Sequence, residues 1–174
     1  MATRRIRLVL VVVSLVVLQT TVFTHLKVFG VVPDLALVAT IAMAYEAGPM
    51  SGARFGFAAG LATDVFLASP FGLSALAFAL TGYGVGLFQS GLIRESRGMR
   101  SALGGVGGLV GNTIFIIVGA IVGRGDLFAA HNIQVVIIAA LYDAFVAVAV
   151  FPFVRWAVRD ADAGTGWPLS LIHI

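Results

Sequence analysis

The sequence predicts an all-α membrane protein with six transmembrane helices in one compact bundle and both termini on the cytoplasmic side. Three observations carry that prediction. The chain of 174 residues is 60% hydrophobic and only 11% charged, where a soluble domain carries about 25% charged residues. Its apolar residues gather into stretches that approach the roughly 20 needed to cross a hydrocarbon layer about 30 Å thick. Its bases gather at the ends of those stretches. Short alternating strands of the kind that build a membrane barrel are not seen. Cysteine is absent, which removes disulfides and thiolate chemistry. The pI near 10 would point to nucleic acid only if the bases formed one clustered face, so no nucleic-acid partner is expected.

The spans run from Ile6 to Leu26, Val32 to Glu46, Met50 to Ala68, Phe71 to Leu92, Ala102 to Val122 and Asn132 to Val154. The first follows Arg4, Arg5 and Arg7, an arrangement shared with signal peptides. No small-x-small cleavage site comes after Leu8 to Leu18, and hydrophobicity resumes through Leu26, so this span reads as a retained helix. The second has only eleven uncharged residues between Asp34 and Glu46, which is short for a crossing. Placing both acids near the headgroups accommodates it. Pro33 suits a first helical turn, Gly48 and Pro49 stop one helix, and Ser69 and Pro70 separate the third span from the fourth. Residues 1–160 read as the membrane domain. Residues 161–174, polar up to Gly166 and apolar from Trp167 to Ile174, are too short to span and read as a tail outside the fold.

Orientation follows from the bases. With a cytoplasmic N-terminus, six spans place Arg4, Arg5, Arg7, Arg54, Arg94, Arg97, Arg100, Arg155 and Arg159 inside and only Lys27 and Arg124 outside, the bias that sets topology in membrane proteins. The loop bearing Arg94, Arg97 and Arg100 becomes the main basic cytoplasmic connection, suited to anionic lipid or a cytoplasmic partner.

Glycines fall in ridges. Gly52, Gly56 and Gly60, spaced by four, form one smooth stripe leading to Asp64, and such stripes let helices approach closely, within the bundle or against a partner. At 1.5 Å of rise per residue, Gln19, Thr40, Asp64, Thr81, Asn112 and Asp143 all fall near mid-depth of their spans. An ionisable group facing lipid there costs about 3 kcal/mol or more, so this polar layer is expected to face inward. Three readings of the layer stand. Neutral aspartic acids can hydrogen-bond across helices to Asn112, Thr81 or Tyr83; the layer can line a cavity for a small ligand; or it can carry protons or cations. The first is favoured, because two acids without a basic relay make a thin transport path.

No catalytic constellation is found: a Walker loop, a His-Glu-x-x-His pair and a Gly-x-Ser-x-Gly elbow are all missing from the sequence. His25, His131 and His173 are scattered, which makes a shared metal site improbable. No enzyme activity, cofactor or metal is expected. Thr81, Gly82, Tyr83 and Gly84 share letters with a potassium filter, but such a filter is an irregular loop and this stretch lies inside a continuous apolar span.

Pro33-Asp34-Leu35 opens the second span, Gly60-Leu61-x-x-Asp64 lies in the third, and Ser69-Pro70-x-Gly72 and Gly82-Tyr83 belong to the fourth. In this order and spacing, over about residues 1–160, the chain resembles the MreD family of bacterial rod shape-determining membrane proteins. The resemblance implies a non-enzymatic scaffold of the cell-elongation complex in the bacterial inner membrane, concerned with cell shape and peptidoglycan synthesis. It also implies as partners an MreC-like protein, the MreB filament and the RodA/penicillin-binding-protein synthase. The family is similar in fold to the substrate-binding S components of vitamin or metal uptake transporters, which is the alternative. Those components carry an Ala-x-x-x-Ala motif on the first helix. Here the stretch from Ile6 to Leu26 is mostly Val and Leu, with Ser14 in its apolar run and no Ala at all, a departure that favours the MreD reading.

Overall fold

The computed structural model describes residues 2–19, 21, 30–66, 70–88, 97–123 and 130–159, and for residues 2–5, 8, 97, 130–133 and 159 it describes the backbone alone. Residues 20 and 22–26 of the first span, Ser69, Arg94 and the tail 161–174 lie outside the described residues, as does the side chain of Arg97. Six helices pack together: α1 (Ala2–Leu18), α2 (Leu35–Ala47), α3 (Pro49–Asp64), α4 (Leu73–Phe88), α5 (Arg97–Ile121) and α6 (Ala130–Arg159). Their number and order agree with the sequence reading, and no strand occurs among the described residues. Two of them, over Gly98–Ile121 and Gln134–Val158, are long and apolar enough to cross a membrane.

α2 holds the centre. Every residue from Leu35 to Tyr45 is buried, as a helix apolar on all sides requires, and α3, α4, α5 and α6 pack around it. It has 13 residues, about 20 Å of length, well short of a hydrocarbon layer. Because other helices surround it, that deficit is met by protein and not by lipid. The sequence reading had placed Asp34 near the headgroups; instead Asp34 is bonded to Asp143, near the middle of the 30-residue α6. Pro33 is also not in the first turn. It is buried one residue before the helix cap Asp34.

Gly48 makes the reversal from α2 to α3. Its φ of 86° and ψ of 177° belong to a region that only glycine enters cheaply, and Pro49 then occupies the first turn of α3, where its missing N–H costs nothing. α3 and α4 run antiparallel at close range. A methyl group on Gly56 would sit 2.6 Å from the Phe78 carbonyl oxygen, one on Gly60 would sit 2.5 Å from the Ala75 Cα, and Gly52 and Gly82 face each other's backbone. The Gly52/Gly56/Gly60 ridge is therefore consumed by packing inside the bundle. α5 uses glycine in the same way against two neighbours. Gly104 and Gly108 meet α6 at Ala147 and Asp143, and Gly107 and Gly111 meet Ile41 and Leu37 of α2.

Arg7 of α1 lies 5.4 Å from the centre of the Trp156 ring near the C-terminal end of α6, a cation–π contact that joins the two ends. α5 runs antiparallel to α6, since Gly104 meets Ala147 where Gly108 meets Asp143. Arg7, Arg100 and Arg155 therefore share one end of the bundle.

The glycine contacts yield a test. Gly56→Ala forces backbone apart and is expected to destabilise the bundle by about 1–3 kcal/mol, read as a lower melting temperature of the purified protein. Gly84, which has no atom within 4 Å of a built methyl group, is the control. Gly84→Ala should leave stability unchanged or raise it by up to about 1 kcal/mol.

Candidate functional site

The first turn of a helix carries amide groups with no intrahelical acceptor, and an unpaired buried amide costs about 1–3 kcal/mol. Three carboxylates answer this problem at one level of the bundle. At the start of α2, Asp34 caps its own helix: Oδ1 accepts from the amides of Ala36 at 3.1 Å and Leu37 at 3.0 Å, and its carbonyl accepts from Val38 at 2.9 Å. Its own amide, which points back out of the helix, donates to Asp143 Oδ1 at 2.9 Å. The side chain of Gln19 donates to the Asp34 carboxylate. Asp143 is fully buried, and its second oxygen, Oδ2, has no hydrogen-bond partner among the described residues. Gly108 lies against it: a methyl group there would fall 2.6 Å from Oδ2.

At the start of α4 the capping position is Gly72, which has no side chain to offer and a φ of 95°. Asp64, at the end of α3, supplies the cap from outside. Oδ2 accepts from Gly72 at 2.8 Å and Ala75 at 3.3 Å, and Oδ1 from Ser74 at 3.1 Å. The remaining amides of the turn are also met: Leu73 donates to the Pro70 carbonyl and Leu76 to that of Gly72. A carboxylate at a helix N-terminus gains further from the helix dipole. The described amides at the start of α4 are therefore satisfied from within the bundle.

The other members of the polar layer act locally. Thr40, Thr81 and Asn112 bond the carbonyls of Ala36, Ala77 and Gly108, each four residues back on its own helix. Thr40 and Thr81 are buried and Asn112 partly so. The favoured bonds from Asp64 or Asp143 to Asn112, Thr81 or Tyr83 are thus not the ones formed, because backbone amides claim the carboxylates first. Tyr83 is 44% exposed on α4, and residues 81–84 lie inside that continuous helix, so they form no filter loop. Among the described residues no group of three His, Cys, Asp or Glu side chains is placed to hold a metal ion.

The profile of the rod shape-determining protein MreD family matches residues 3–160. The chain belongs to the MreD family. No curated protein and no solved structure matches it. Membership implies a part in rod shape determination, in a family of membrane proteins that work with protein partners. The positions that carried the MreD resemblance mostly gather at the two caps and the contact between them. Pro33 and Asp34 open α2. Gly60 and Gly82 lie in the tight α3–α4 seam, and Asp64, Pro70 and Gly72 build the α4 cap.

Sequence reasoning missed that Asp34 belongs with Gln19 and Asp143. The available signal was the Asp34 N-cap pattern directly after Pro33, which marks a helix start wherever it lies, at a headgroup or inside. It also missed Gly72 as a helix cap needing an outside carboxylate, although an acid eight residues before a glycine at a helix start was visible.

Asp64→Ala leaves up to three amides without acceptors and should cost about 2 kcal/mol or more. Asp64→Asn keeps one oxygen acceptor and should cost less. Chemical or thermal unfolding of both variants in the same detergent checks the order; equal losses would remove the capping account.

Proposed function

We propose that this chain is a non-enzymatic, six-span scaffold of the bacterial inner membrane that serves the cell-elongation machinery and, through it, peptidoglycan synthesis. One observation supports this most directly: the acids at the centre of the bundle engage backbone amides at helix starts. Chemistry of that kind makes a rigid body to be bound. It does not turn over a substrate. In this reading the partners are an MreC-like protein, the MreB filament and the RodA/penicillin-binding-protein synthase, and they pack on the outer faces or meet the basic end. Arg97 and Arg100 stand at the start of α5 at that end, with Arg94 shortly before them in the sequence, and anionic lipid or a cytoplasmic partner supplies the opposite charge.

Two experiments test the proposal. Depleting the protein from its bacterium should turn rods into rounded cells, and tagged protein extracted in mild detergent should bring an MreC-like protein with it. Unchanged shape would refute the reading, and a bound vitamin or metal ion in place of protein would favour an S component. The orientation has its own check, made simple by the absence of cysteine. A single cysteine at exposed Gly98 should react with an impermeant thiol reagent only after cells are opened. One at exposed Gly123 should react in intact cells.

A further inference from the structure

The hydrogen-bond accounting at the start of α2 does not close. Gln19, Asp34 and Asp143 form one contiguous group: the Gln19 side chain is bonded to the Asp34 carboxylate, and the Asp34 amide to Asp143 Oδ1. Within it two buried oxygens, Gln19 Oε1 and Asp143 Oδ2, accept from no donor among the described residues. Each is an acceptor, and the Asp34 amide and a Gln19 N–H are already engaged. An ionised Asp143 would also place a second negative charge beside Asp34, out of water, where buried like charges are poorly tolerated.

Among the described residues the surroundings supply no compensating base. From α5, Gly104 and Gly108 meet Asp143, and the next polar side chain along that helix, Asn112, donates its amide to the Gly108 carbonyl. Arg100 is eight residues before Gly108, about 12 Å along the helix. From α2 only Asp34 is at this level, because Tyr45 and Glu46 are at the other end. From α1 the neighbour is Gln19, with Arg7 distant on Trp156. On α6 itself Tyr142 adjoins, and Arg155 is three turns away. Gly108 lies directly against Oδ2, where the methyl group of any larger residue would collide with it.

We propose that Asp143 is a proton-binding site, with the proton carried on Oδ2 and Oδ1 holding the Asp34 amide. The neutral acid removes one charge from the pair and turns Oδ2 from an unmatched acceptor into a hydroxyl donor. Loss of this proton leaves two carboxylates against each other where α2 starts, so proton occupancy sets how firmly α2 is held to α6. The site then reports pH to the centre of the bundle, a property that rod shape determination does not by itself require.

Infrared spectroscopy of the full chain in lipid vesicles tests this directly. At neutral pH the wild-type protein should show the carbonyl band of a protonated carboxylic acid, shifted when aspartate is labelled with carbon-13 and shifted again in heavy water. Asp143→Asn should abolish it. Asp143→Glu should move it out of the aspartate-labelled set while keeping an acid at the site. Raising the pH should remove the band, and with it lower the melting temperature of wild type but not of Asp143→Asn. The labelled wild-type spectrum decides even where a variant fails to fold: no protonated aspartate at neutral pH overturns the proposal. A band that survives in folded Asp143→Asn also overturns it, as does an ionised Asp143 whose bundle is stabilised by added sodium.

Discussion

A helix that begins inside a protein must find acceptors for its first amides there, and this bundle is organised around that need. α2 is wrapped on all sides and starts beside the middle of α6, far from either end of that long helix. The first residues of α2 are buried, so Asp34 meets their amides, and Asp143 in turn accepts from the Asp34 amide. α4 starts against α3 with a glycine at its cap, and Asp64 reaches across to close it. In an apolar surrounding each unmet backbone group is costly, which explains why the acids are kept despite the expense of burying them.

The glycines and the acids are two halves of one arrangement. Asp64 can reach three amides of α4 only because Gly60, one turn earlier, lets the backbone of α3 lie against Ser74 and Ala75. Asp143 fits beside Asp34 only because Gly108 leaves it room on the α5 side. A side chain on either glycine would displace a helix and break a cap. Close approach therefore contributes twice, through dispersion contacts along the seams and through the hydrogen bonds that the short distance permits.

Much of this was legible in the sequence, for reasons that also mark the boundary. Six apolar segments and their breaks are written in composition, and the six helices follow them in order. The ridge at Gly52, Gly56 and Gly60 is a spacing pattern, and it packs as one. Burial of Thr40, Asp64, Thr81 and Asp143 follows from the cost of facing lipid. The partner of each was not legible, because side chains and backbone amides compete for the same carboxylate and a sequence shows only the former. Asp34 was misplaced for a related reason. Segment length indicates where a helix must end if lipid surrounds it, and nothing in the residues of α2 said that protein surrounds it instead.

The two caps differ in a way that has consequences for how the bundle moves. Asp64 has both oxygens engaged by amides whose positions are fixed by the α4 backbone, so the α3–α4 pair is held by a closed set of bonds. The Asp34–Asp143 junction is closed on one oxygen and open on the other. Any donor that joins or leaves it changes the balance of charge at the start of the central helix, and α2 touches α3, α4, α5 and α6 at once. Within one rigid framework, then, the place where a small change would be felt most widely is the end of the helix that every other packs around.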